Sequence, residues 1–226
     1  MAIIEIGRMG VKPNHNVMDE STPEGKILRD TWERIIEQPT GPHRLFWGLE
    51  DEEPLRIWGI FEWDSVEHHQ KFAREYGAEL VKDFPKILTH GEFTKHISPT
   101  TFPLRATQSP VTELLLAYFS ADISPELRDA ATTKMQQFVE NIVGKSSEVQ
   151  AVNYGWSVEN DLPFVGGEDG QKGALLMAFI GWPSLDAKSK FKDTKASKEN
   201  SGLISGMEGL RKLTTVHVRF RSLERK

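Results

Sequence analysis

Two histidines stand in comparable places along the chain. His96 lies in "GEFTKHIS" (91–98) and His217 in "TTVHVRFRS" (214–222). Both runs predict strands, in which residues two apart share a face. Glu92, Thr94 and His96 then share one face of the first run, opposite Phe93 and Ile97. Thr215, His217 and Arg219 share one face of the second, opposite Val216, Val218 and Phe220. Imidazole titrates near neutral pH without help, so a histidine on a polar strand face suits general acid–base work on an enol, phenol or carbonyl. Arg219 beside it would hold an anionic oxygen. His217, His96 and Arg219 are therefore the expected catalytic residues.

Aromatic residues supply a second signal. The chain has six tryptophans. In the strand-like run 54–63, Arg56, Trp58, Ile60 and Glu62 share one face and suit a polar-aromatic cavity wall. Leu55, Ile57, Gly59, Phe61 and Trp63 share the other and read as core under helices. Tyr154 and Trp156 share a face in 149–158. Aromatic side chains with a few polar groups fit a planar, mostly apolar ligand. The expected substrate-binding residues are Glu92, Thr94, Thr215, Arg56, Trp58, Tyr154, Trp156 and Phe164.

Other chemistries find little support. There are no cysteines, which removes disulfides, Cys-ligated metals and Cys nucleophiles. His68 and His69 are adjacent on a helical pattern, so they diverge and read as surface residues. No metal-binding motif occurs, and neither metal nor cofactor is expected. The Gly-rich stretch 166–173 is neither a dinucleotide fingerprint nor a P-loop, and no nucleophile elbow exists. A net charge of −5 argues against nucleic acid. The Lys-rich 188–200 reads as a solvated helix face. The N-terminus is too short in apolar residues and too charged for a signal peptide, and no run is long enough to span a membrane. The expected setting is cytoplasmic, the expected partner a small apolar or aromatic molecule.

The elements that must position these residues come in two sets. "WDSVEHHQKF" (63–72) and "WPSLDAKSKF" (182–191) match at Trp63/Trp182, Ser65/Ser184, Lys71/Lys190 and Phe72/Phe191. Such self-similarity signals an internal repeat. Each half opens with a strand-like run, 2–9 and 112–119. A helix follows, entered through Thr22-Pro23-Glu24 or Ser124-Pro125-Glu126: hydroxyl cap, Pro at the first position, acid in the first turn. Ile27, Leu28, Ile35 and Ile36 stripe the first helix; Leu127, Met135, Phe138, Val139 and Ile142 stripe the second. Two strands, a second helix capped by Asp64, Ser65 or Ser184, and a final strand complete each set. The expected organisation is a first β-α-β-β-α-β repeat over 1–97, a Pro-rich linker over 98–111 and a second repeat over 112–226. The long Gly-hinged loop 159–173, with Leu162, Pro163, Phe164 and Val165 at its head, reads as a lid over one main site in the second half.

This plan, with the strand–helix junctions at 58–72 and 178–191, resembles the dimeric α+β-barrel superfamily. Within it the pattern is similar to antibiotic-biosynthesis-monooxygenase-like proteins, especially tandem forms found in fungi. The resemblance implies an α+β fold of two tandem ferredoxin-like repeats, whose sheets close an intrachain, pseudo-dimeric barrel around a ligand cavity. It would place the polar faces of His96 and His217 toward that cavity. It implies a cofactor-free enzyme of specialised metabolism, catalysing cyclisation, isomerisation or elimination on a small aromatic or polyketide-like substrate. A cofactor-independent monooxygenase and a non-catalytic, stress-associated ligand-binding barrel are the alternatives. A monomeric pseudo-dimer or a homodimer would fit.

Overall fold

The computed structural model describes residues 2–143 and 145–226. The chain divides into two compact units. The first comprises Met1–Ser98 with Val218–Lys226; the second is Pro99–His217.

In the first unit the order is β1 (Ile3–Val11), α1 (Pro23–Glu37), β2 (Arg44–Leu49), β3 (Arg56–Trp63), α2 (Val66–Phe72), a π-helical turn (Ala73–Gly77), α3 (Ala78–Leu80), α4 (Phe84–Ile87) and β4 (Leu88–Pro99). The chain end returns to this unit. The remaining strands of the molecule are β5 (Val111–Phe119), β6 (Ala151–Ser157), β7 (Leu162–Pro163), β8 (Lys172–Trp182), β9 (Leu210–Val218) and β10 (Arg221–Glu224). The first unit's strand order is β10-β2-β3-β1-β4, antiparallel throughout. Gly48 admits the returning chain: a Cβ there would lie 2.5 Å from the Arg219 carbonyl oxygen.

Helix α1 starts as the sequence predicts. Thr22 Oγ1 accepts from Gly25 N at 3.0 Å, and Pro23 follows. Leu28, Trp32, Ile35 and Ile36 face the sheet and join Ile57, Phe61, Trp63, Phe72, Leu80 and Ile87 in one core. Ser65, not Asp64, caps α2, accepting from His68 N at 3.1 Å. Asp64 turns away to His43 Nε2 at 2.6 Å.

The second unit repeats the strand order as β6-β8-β5-β9, with β7 paired to β8. Its helices are α5 (Pro125–Val143), α6 (Leu185–Lys192) and α7 (Lys195–Ser205). Ser124 Oγ accepts from Leu127 N at 3.3 Å, and Ser184 Oγ from Ala187 N at 3.0 Å. Ala131 and Met135 of α5 are buried in the core, with Phe138 and Val139 against it; the Ile142 side chain lies outside the described residues. No helix among the described residues is long and apolar enough to cross a membrane.

Two expectations change. Residues 98–111 are not a loose linker: Leu104, Ala106, Thr107 and Ser109 are buried. Asn153 of β6 holds them, donating from Nδ2 to the oxygens of Thr101 (3.2 Å) and Pro103 (3.1 Å) and accepting from Ala106 N at 3.2 Å. The head of the 159–173 loop is docked rather than hinged. Leu162 and Pro163 pair with β8, Phe164 lies 4.5 Å from the Tyr118 ring, and Val165 N donates to Tyr118 Oη at 3.2 Å.

Asn153→Ala leaves the buried Ala106 N–H without its acceptor, which costs about 1–3 kcal/mol, and removes the part-buried bonds to Thr101 and Pro103. Urea unfolding should show a loss of about 2–3 kcal/mol, against a few tenths for the exposed Asn160→Ala.

Candidate active site

A cavity of about 970 Å³ lies between the sheet and the helices of the first unit. Its floor is the helix-facing side of the sheet: Glu5, Gly7 and Met9 of β1, Phe61 and Trp63 of β3, Gly91 and Thr94 of β4. Trp32 and Ile35 of α1, His69 and Phe72 of α2, and Leu80, Val81 and Phe84 enclose it. Ala73 and Gly77 of the π-helical turn complete that wall. Such turns are rare and recur at functional sites. The lining is mostly aromatic and aliphatic, with Glu5 and His69 at one end and Lys12, Thr89 and His90 at the other.

Glu5 stands on β1 directly across from His96 of β4 and Phe61 of β3. It is buried, with 8% of its surface exposed. Trp63 Nε1 donates to Glu5 Oε2 at 2.8 Å. His69 Nε2 lies 3.4 Å from the same oxygen. His69 Nδ1 is in turn 2.8 Å from His96 Nε2. The result is a chain of three titratable groups, carboxyl–imidazole–imidazole, with Glu5 and His69 on the cavity and His96 buried behind them. Burial pushes the Glu5 carboxyl up from 4.5 to about 7, against the opposing pull of the Trp63 hydrogen bond and the charge of His96. A carboxyl so placed exchanges a proton at neutral pH.

The second unit carries the same constellation with one exchange. Trp182 Nε1 donates to Glu113 Oε2 at 2.9 Å. Lys188 takes the place of His69: its Nζ lies 3.3 Å from Glu113 Oε1 and 2.7 Å from His217 Nε2. An ammonium donates but does not accept, so this pair is a charge contact rather than a relay. Lys188 is thus the half-buried exception in a stretch read as a solvated face.

His96 and His217 therefore lie on the helix-facing sides of their strands, opposite to the expectation. Phe93 and Ile97 take the other face, with Ile4, Ile6 and Trp58. The reason is that both faces of the sheet are buried: Ile4, Ile6, Trp58, Ile60 and Ile97 have no exposed surface. Apolar alternation then cannot tell which face takes the helices. The prediction for β3 holds, since Ile57, Phe61 and Trp63 pack under the helices.

The other expected site residues scatter. Thr94 lines the cavity. Glu92, displaced by a bulge in β4, pairs with Arg8 and with Arg56, whose Nε is 2.7 Å away. Trp58 Nε1 donates to Glu50 Oε1 at 2.7 Å, and Arg8 Nε bonds the same oxygen at 2.7 Å. Arg56, Trp58 and Glu92 thus belong to a partly buried ionic network on the opposite face of the sheet. Arg219 lies beyond the end of β9, exposed, and pairs with Asp51 at 2.5 Å. Thr215 is half-buried on β9. In the second unit Trp156 donates to Thr132 at 2.8 Å with Arg128 over its ring, and Tyr154 packs against the core. Phe164 is occupied with Tyr118.

Glu5 and His69 went unnoticed in the sequence. His69 is not a surface residue, its side chain being 15% exposed against the Trp63 ring. The matched halves of the sequence held the missing signal. Glu5 and Glu113 occupy the same register, as Ile3 faces Trp63 and Val111 faces Trp182. An acid recurring inside two otherwise apolar strands needs a reason.

Solved structures resemble the chain over nearly its whole length. An anthrone oxidase-like protein superposes with a TM-score of 0.66 at 12% identity, covering 99% of this chain and 93% of its own. A proposed monooxygenase of Lactobacillus acidophilus gives 0.64 at 10%, covering 99% and 96%. One from Fusobacterium nucleatum gives 0.63 at 10%, covering 99% and 94%. At these identities the likeness shows the fold alone, a mixed α+β fold with antiparallel sheets. No protein-family profile and no curated protein matches the chain.

Two measurements probe Glu5. The folded protein keeps a proton that the unfolded chain releases between pH 4.5 and about 7. Stability should therefore fall as pH rises through that window, by roughly 3 kcal/mol from this group, and level off above it. Glu5→Gln should flatten that fall in thermal unfolding. Trp63→Phe removes a hydrogen bond that favours the carboxylate, so carboxyl NMR should place the Glu5 titration above that of the parent.

Proposed function

We propose that the protein is a cofactor-independent monooxygenase acting on an apolar, enolisable aromatic substrate, with Glu5 as the base. The observation that carries this reading is a buried carboxyl raised to about 7 on the wall of an aromatic cavity. A base whose pKa matches ambient pH is what proton abstraction from a weakly acidic carbon requires. The names of the structural neighbours, anthrone oxidase-like and monooxygenase, favour dioxygen as the second reactant.

In this mechanism Glu5 takes a proton from a ring methylene. Both named contacts of the carboxyl fall on Oε2, so Oε1 meets the substrate. His69 stands at Oε2 and His96 behind it, and together they relay the proton away. The carbanion's electrons pass to dioxygen, and a peroxide forms at that carbon. Loss of the second methylene proton with cleavage of the O–O bond leaves a ketone and one water. The substrate supplies all four electrons, so one methylene and one dioxygen are consumed per ketone formed. The aromatic walls exclude water from the carbanion. The chain as a whole would be a tandem form of the antibiotic-biosynthesis-monooxygenase type, working on a dissolved small molecule in the cytoplasm.

Anthrone is the first substrate to try. Purified protein without added flavin, haem or metal should consume one dioxygen per anthraquinone formed, with a rate rising through an apparent pKa near 7. Glu5→Gln should lower kcat/KM by about 10²–10⁴-fold. His96→Gln should cost less and shift the pH profile. Glu5-dependent turnover that persists under argon would replace the monooxygenase with an isomerase, cyclase or lyase using the same base. Turnover indifferent to Glu5→Gln would remove Glu5 as the base, and oxygen uptake no faster than without protein would leave a ligand-binding protein.

A further inference from the structure

Gly7 and Gly59 face each other across β1 and β3, one step along from the pair Glu5–Phe61 on the same face of the sheet. Gly7 lines the cavity. Glycine in mid-strand weakens a sheet and marks either a bulge, a tight approach of protein backbone or a ligand lying close. The first two do not apply to Gly7. Its register with Gly59 and with Thr94 is regular, and its φ is not positive. A Cβ there would meet nothing nearer than the carbonyl oxygens of Gly59 and Phe93 at 3.8 Å and Thr94 Oγ1 at 3.9 Å. The first unit does not need a glycine at this position.

The second unit shows what the fold does with the same place when it is filled. Glu113 faces Ile180 as Glu5 faces Phe61, and the next pair on that face is Leu115–Ala178. Leu115 is buried in the core with Ala131 and Met135 of α5 and Ile204 of α7. Where the unit carries Lys188 in place of the His69 relay, it also carries a leucine where Gly7 leaves a hollow.

We infer that Gly7 is the size-determining floor of the Glu5 cavity, and that a flat fused-ring ligand lies against the bare backbone of β1 there, beside the Phe61 ring that covers Gly59. Glu5 and Gly7 are two residues apart on one strand face, about 7 Å along the chain. A ring system resting on Gly7 therefore presents its edge to the Glu5 carboxyl. This deepens the proposed function by naming where its substrate sits and what limits that substrate's thickness.

The test is binding, read separately from catalysis. Anthraquinone is flat, tricyclic and has no methylene proton to lose. Titration of the full-length protein should quench the fluorescence of Trp32 and Trp63, which line the cavity. Gly7→Leu, the side chain of the second unit, should raise the Kd for anthraquinone by about tenfold or more, with Gly7→Ala intermediate. The melting temperature of Gly7→Ala should not fall below the parent's, because the added methyl replaces a glycine without a clash. Leu115→Ala should leave the Kd unchanged. If Gly7→Leu unfolds, Gly7→Ala decides. Parent-like binding by Gly7→Ala and Gly7→Leu, or failure of the parent to bind anthraquinone, overturns the inference. Lost oxygen uptake in Glu5→Gln with unchanged anthraquinone binding would confirm that the two readings stand or fall apart.

Discussion

A carboxyl buried under a layer of helices is the constraint from which the site follows. In each unit a glutamate sits on the first strand, facing the helices, and an indole N–H from the end of the third strand donates to it. One hydrogen bond does not repay the loss of water around a carboxylate. Further groups must complete the solvation, and they come from the second helix and the last strand. Their identity decides what the carboxyl can do. Lys188 brings a full charge to Glu113 and makes a salt bridge. His69, backed by His96, brings a neutral-or-charged partner to Glu5, and burial leaves that carboxyl near 7.

The rest of the first unit serves that arrangement. Ser65 caps α2 and fixes the turn after Trp63, so the helix stripe bearing His69 comes down over Glu5. The π-helical turn that follows places Ala73 and Gly77 against the cavity, where larger side chains would fill it. On the opposite face Arg8 is tied to Glu50 through two hydrogen bonds and to Glu92 through a third. A buried charge network of this kind is costly unless every member is satisfied. It explains why polar residues on a strand need not mark a cavity.

The two units diverge in the same direction at two places. Lysine replaces histidine at the carboxyl, and leucine replaces glycine on the floor. Each change fills or neutralises what the first unit leaves open. The second unit fills that place with Leu115 and pairs its carboxyl with a charge, while the first unit retains a hollow and a carboxyl that burial disfavours as an anion. A functional site is where such local costs are expected.

The element plan was legible from the residues because its signals are local. Thr22-Pro23-Glu24, the serine caps before α2 and α6, and the strand runs act over a few residues, and the structure has them where the sequence places them. The matched Trp-x-Ser stretches mark the strand–helix junctions before α2 and α6, where Ser65 and Ser184 cap the helices. Which strand face meets the helices was decided only in three dimensions. Hydrophobic alternation identifies a face by contrast with solvent, and here both faces of β1 and β3 are buried, so His96 and Phe93 beside them could not be sorted by polarity. The Glu5–His69–His96 cluster joins three elements far apart in sequence, and nothing local links a charge within "AIIEIGRM" to the second of two adjacent histidines sixty-odd residues later. The raised Glu5 carboxyl is a property of burial and neighbours, and both exist only once the helices have closed over the sheet.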